Sequence, residues 1–137
     1  MANTLTPKAR SLLTKMGTIA RTDTTATVLF DLPKDALIAG IYVIGDAASD
    51  AGTSATIGIG SSTSANEYMA SYDVKTAATG EGYNPAGGAA VGTAMVNKLS
   101  ADVSVYGKYA ETGTASTAGG PWVVKVEYFV TGPGETL

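Results

Sequence analysis

Trp122-Val123-Val124-Lys125-Val126-Glu127-Tyr128-Phe129-Val130-Thr131 is the stretch whose reading decides the fold. Trp122, Val124, Val126, Tyr128 and Val130 fall on one side of an extended chain, while Lys125, Glu127 and Thr131 share the other with Val123 and Phe129. A period of two in β-branched and aromatic residues is the pattern of a strand with one face turned to a core. Residues 102–110 repeat it, with Val103, Val105 and Tyr109 opposite Ser104, Tyr106 and Lys108.

Working back along the chain, 27–32 reads as a strand stopped by Pro33-Lys34-Asp35. The run 38–44 is apolar and β-branched, bounded by Gly45-Asp46, and reads as a strand buried on both faces or nearly so. Residues 55–60 set Ala55, Ile57 and Ile59 on one side and Thr56, Gly58 and Gly60 on the other, so a neighbour can pack closely against the glycine side. Residues 68–74 and 91–99 supply two further strands. The stretches 45–54, 75–90 and 111–120 are Gly-, Ser- and Thr-rich loops that leave backbone groups for contacts. Seven or eight short strands without helical alternation predict a mainly β protein, an antiparallel β-sandwich of the jelly-roll kind.

The first 22 residues differ from the rest. They hold Lys8, Arg10, Lys15 and Arg21 and no acid, whereas 23–137 hold 5 basic and 12 acidic residues. The chain thus divides into a basic N-terminal arm, 1–22, and a single β-sandwich domain, 23–137. In the arm Leu5, Ala9, Leu12, Leu13, Met16, Ile19 and Ala20 recur at spacings of three and four after Thr6-Pro7. That predicts a short amphipathic helix over about residues 7–16. A partly extended arm that orders against a partner is the alternative, because an isolated helix of that length is marginal in water.

Composition narrows the chemistry. The 137 residues include no Cys and no His, so imidazole bases, thiolates, disulfides and most metal sites are excluded. Ala 22, Thr 19, Gly 17 and Ser 10 make up about half the chain, which leaves few large side chains for a core. No apolar run approaches the roughly 18 residues of a spanning helix, and Lys15 and Arg21 interrupt any signal-peptide core, so a soluble protein without a cleaved leader is expected.

Gly58-Ile59-Gly60 opens like a dinucleotide fingerprint but lacks the third glycine and a following helix, so it reads as a strand end. Asp46 and Asp50 do not have the spacing of a calcium loop and read as a solvated turn. Glu67, Asp73 and Glu81 are too dispersed for an acid/base pair, and no nucleophile elbow or Ser-x-x-Lys motif is present. The expectation is no enzyme and no cofactor. Trp122 with Tyr68, Tyr72 and Tyr83 keeps a sugar-stacking module open as an alternative. Four cations without interleaved aromatics, on an acidic body, suit an acidic protein surface better than nucleic acid.

Phe30-Asp31-Leu32-Pro33, the run 39–46, the run 55–60, and Ala65-Asn66-Glu67-Tyr68-Met69-Ala70-Ser71-Tyr72-Asp73-Val74 together resemble small structural proteins of tailed bacteriophages. The likeness covers about residues 27–80 and is to head decoration or cementing proteins, such as those of Bordetella podoviruses. It implies a jelly-roll or related β fold and a non-enzymatic role on the outer surface of an icosahedral capsid, in a virion assembled from protein made in the host cytoplasm. It also implies two partners, the major capsid protein and the chain itself as a dimer or trimer, with no nucleic acid and no membrane. A phage tail or fibre module is the alternative. Charge and periodicity assign the capsid contact to the arm: Lys8, Arg10, Lys15 and Arg21 would meet acidic positions, and Leu12, Leu13 and Met16 would fill an apolar groove.

Overall fold

The computed structural model describes residues 11–76 and 98–131. Seven strands form among them: β1 (Leu13–Ile19), β2 (Thr27–Leu32), β3 (Ala36–Gly45), β4 (Ser54–Gly60), β5 (Met69–Asp73), β6 (Val103–Thr112) and β7 (Trp122–Val130). No helix occurs among the described residues. The strands pair antiparallel in two sheets, ordered β1-β7-β3 and β2-β6-β4-β5.

This order is that of a jelly roll. With its strands lettered B to I, the sheets of that fold run B-I-D-G and C-H-E-F, and the described strands occupy every place except G. Between β5 and β6, residues 77–97 lie outside the described residues. The expected strand at 91–99 lies there except for its last two residues, and the expected loop at 75–90 except for Lys75 and Thr76. Leu99 itself bridges to the start of β3, donating to Ala36 O at 2.8 Å and accepting from Asp35 N–H at 2.9 Å.

Alternation decides which side chains meet between the sheets. Trp122, Val124, Val126 and Tyr128 of β7 are buried, with Ile41 and Val43 of β3 beside them. They face Ile57 and Ile59 of β4, Val105 and Tyr109 of β6 and Leu32 of β2. Each such aliphatic side chain removed from water contributes about 1.5–3 kcal/mol. The Trp122 indole stacks on the Tyr109 ring with centroids 5.5 Å apart. Val130, expected on the buried side, is exposed at the strand end. β3 is buried on one face rather than both, since Leu37, Ala39 and Tyr42 of its other face keep solvent contact.

The helical reading of the first segment is corrected: residues 13–19 are strand β1, registered on β7 from Leu13 opposite Tyr128 to Ile19 opposite Trp122. Ile19 is fully buried in the core, so an alternating rather than a helical periodicity governs this segment. Residues 1–10, including the rest of the expected helix, lie outside the described residues. Gly17, a weak point in a helix, has a positive use in the strand. A Cβ there would stand 2.7 Å from Leu29 Cβ, so glycine lets β1 close against β2 along one side of the sandwich.

Candidate functional site

β1 is the terminal strand of its sheet, with a strand neighbour on its β7 side only among the described residues. Its register places Leu13 and Lys15 opposite the inward Tyr128 and Val126, and Thr14 and Met16 on the outer face. Of the residues assigned to contact, Met16 is 63% exposed, Leu12 48% and Leu13 40%. The structure therefore gathers Leu13, Lys15 and Met16 on one accessible edge strand, with Leu12 just before it. Lys8 and Arg10 lie outside the described residues. Arg21 stands apart, donating through Nη1 to the Ser116 carbonyl at 2.9 Å.

Where β1 begins, the two sheets part to leave an open cleft of about 490 Å³. Lys15 and Tyr128 line it from one sheet; Asp31, Leu32 and Pro33 at the end of β2, and Asp102, Val103 and Ser104 at the start of β6, line it from the other. Each carboxylate accepts one hydrogen bond there and keeps its charge. Asp31 accepts from the Ser104 hydroxyl at 2.7 Å, and Asp102 accepts from the Lys34 N–H at 2.8 Å. The Tyr128 side chain is 5% exposed, yet its hydroxyl has no hydrogen-bond partner among the described residues, and the Lys15 ammonium has no ion-pair partner there. Sequence reasoning nominated Lys15 by charge alone. It missed Tyr128, because register, not composition, brings the two together.

The opposite end of the sandwich is closed by a polar network. The Tyr109 hydroxyl donates to Glu111 Oε2 at 2.7 Å and accepts from Ser49 Oγ at 2.7 Å, and Ser49 Oγ in turn accepts from the Ala51 N–H at 3.2 Å. Hydrogen bonds from Ser116 and from Tyr109 hold the Glu111 carboxyl below the ordinary carboxylate range, with the Arg21 charge adding to the effect. Burial pushes the Tyr109 hydroxyl up. Asp50 accepts from the Ala118 N–H at 2.9 Å, the Thr117 N–H at 2.8 Å and the Thr117 hydroxyl at 2.7 Å, which lower its pKa to about 2. Asp50 is thus a clamp between loops, where the sequence suggested only a solvated turn. Gly52 N–H donates to Thr114 O and Gly120 N–H to Ala47 O, so these backbone groups of 45–54 and 111–120 serve each other.

The aromatic platform considered for sugars is not assembled. Trp122 is 2% exposed and Tyr68 is equally buried, both in the core, and Tyr83 lies outside the described residues. The glycine side of β4 has its close neighbour, but from within the chain: a Cβ on Gly58 would collide with the Ala65 carbonyl oxygen. The Glu67 carboxylate caps the same turn. Burial raises its pKa, but hydrogen bonds from the Ser62 hydroxyl and from backbone N–H groups at 61 and 66 outweigh this and lower it overall. Among the described residues no group of three potential metal ligands gathers.

No protein-family model matches the chain, and no curated protein matches it. Solved structures do. A chain of the cyanophage Pam1 capsid asymmetric unit superposes with a TM-score of 0.66 at 20% identity, covering 95% of this chain and 94% of its own. A chain of the acidic stable capsid structure of the Helicobacter pylori bacteriophage KHP30 superposes with a TM-score of 0.57 at 12% identity, covering 88% and 90%. At these identities the likeness is one of fold. It defines the class of protein to which the chain is similar, a β-sandwich found in phage capsid structures, over nearly its whole length.

Proposed function

We propose that this chain is a non-enzymatic structural protein of a phage virion that sits on the outer surface of an icosahedral capsid and cements neighbouring capsomers of the major capsid protein. The observation that carries this reading is the end-to-end likeness to chains of phage capsid structures, in which neither partner has a large unmatched portion. The basic segment 1–22 is the attachment element in this reading, with Leu13, Lys15 and Met16 on β1 and Lys8, Arg10 and Leu12 upstream of it in the sequence. The β body associates with copies of itself as a dimer or trimer. Many copies each contributing a few kcal/mol stabilise a shell, because the attachments act together.

Purified protein is expected to co-sediment with shells that lack it and to raise their thermal disruption temperature. Absence of co-sedimentation at both low and moderate salt would sink the proposal. A map of the decorated particle at modest resolution then distinguishes an outer shell position from a tail or fibre position.

A further inference from the structure

We infer that residues 114–118 form a hinged strap across the closed end of the sandwich, latched by Asp50 and Glu111, which acid loosens while the two sheets stay paired. The inference is independent of the attachment proposed above.

The strap is bounded by glycines in the left-handed region, Gly113 at φ 85° on one side and Gly119 and Gly120 at 121° and 70° on the other. Such positions turn without a Cβ penalty, so the segment between them swings as a unit. It has no apolar anchor: Thr114, Ala115, Thr117 and Ala118 are exposed, and Ser116 alone is buried. Segments with few buried apolar contacts open at a lower free energy than the whole fold. The strap nevertheless lies over the core. Ser116 Oγ is 3.4 Å from the Tyr109 hydroxyl, the Tyr109 ring stacks on Trp122, and a Cβ at Gly120 would stand 2.7 Å from Cζ3 of that indole.

The latch is ionic. Three successive N–H groups point at carboxylates: that of Ser116 at both Glu111 oxygens, 3.1 and 3.2 Å away, and those of Thr117 and Ala118 at Asp50 Oδ1, with the Thr117 hydroxyl on Oδ2. Three backbone bonds to the 45–54 loop and the Arg21 bond to Ser116 O complete the closure. Arg21, from the β1–β2 connection, and the Tyr109 hydroxyl, from β6, also face Glu111, while Lys75, after β5, donates to the Ala51 carbonyl next to Asp50. Of these groups only the two carboxylates lose charge in acid. The four donors then meet neutral acids, and bonds to a neutral acceptor are about half as strong as those to an anion. Both carboxylates titrate below the ordinary range with the strap closed, Asp50 at about 2. Closure is therefore favoured above the ordinary carboxylate value and weakens as pH falls from about 4 towards 2.

The test uses the full chain. Between about pH 6 and about pH 3, amide protection of residues 116–118, corrected for the intrinsic pH dependence of exchange, is expected to fall severalfold while the amides of β3 and β7 keep theirs. Trp122 is the one tryptophan of the chain, so a rise in its quenching by acrylamide reports the same opening without any variant. Asp50→Asn lowers the protection of 116–118 severalfold already at the upper pH and blunts its response to acid. Asp102→Asn, an equal change of net charge at the open end, leaves the strap as in the wild type. If the strands lose protection in step with 116–118, there is no separate strap and the inference is overturned. A wild-type acid response in both Asp50→Asn and Glu111→Gln would overturn the carboxylate latch, as would an Asp102→Asn effect equal to that of Asp50→Asn.

Discussion

Asp50 carries more structure than its exposed position suggests. Its three hydrogen bonds from residues 117 and 118 are stronger to the ionised carboxylate than to the neutral acid, which is why its pKa falls to about 2 from an ordinary 3.8. A depressed folded-state pKa gives stability that is present above the unfolded value and lost as pH drops through the folded one. Stability should therefore decline between about pH 4 and pH 2, with Glu111 and Asp73, also lowered, contributing in the same direction. Thermal melts across that range are expected to show a shallower decline for Asp50→Asn; an unchanged slope would remove the clamp from the account. Tyr109→Phe breaks the chain from Ser49 to Glu111 and is expected to cost about 1–3 kcal/mol in chemical denaturation. Trp122→Ala, which empties a core site beside Tyr109, is expected to cost about 3–5 kcal/mol. Lost glycan binding in that variant would report unfolding.

At the scale of elements, β1 is both part of the sandwich and the proposed contact. Ile19 closes the core at one end of the strand, while Leu13, Lys15 and Met16 face solvent or the cleft at the other. Ile19→Ala is expected to destabilise by about 2–5 kcal/mol and Met16→Ala by well under 1 kcal/mol, measured by denaturant titration. Comparable costs at both positions would mean that Met16 packs on the body. Deletion of residues 1–22 removes β1 entire and exposes one edge of β7, so circular dichroism should show a destabilised body. Gly58→Val, which drives a side chain into the turn folded over β4, is expected to cost about 1–3 kcal/mol.

For the whole molecule, the two ends of the sandwich differ in kind. One is sewn shut by the Ser49, Tyr109, Glu111 and Asp50 bonds; the other is open at the cleft beside β1. Adhesion by the loops 45–54 and 111–120, which composition suggested, loses ground accordingly, because backbone groups in both are bonded within the chain. Among the described residues, the Tyr128 hydroxyl and the Lys15 ammonium at the open end have no hydrogen-bond or ion-pair partner. A virion whose shells bind the wild type but shed Lys15→Gln at moderate salt would place attachment at that end.

The sequence by itself determined what alternation can carry: the strands at 27–32, 55–60, 102–110 and 122–131, the inward side of the last as far as Tyr128, and a β-sandwich with no imidazole or thiol chemistry. Period two in long β-branched runs has few other solutions. Only the tertiary structure decided the state of 13–19, where apolar residues suit a helix as well as a strand until the β7 edge supplies hydrogen-bond partners and Gly17 admits Leu29. It also decided that Arg21 turns inward to Ser116 while Lys15 meets the cleft of Tyr128. Such pairings join residues about a hundred positions apart in the chain, and local pattern holds no record of register across a sheet.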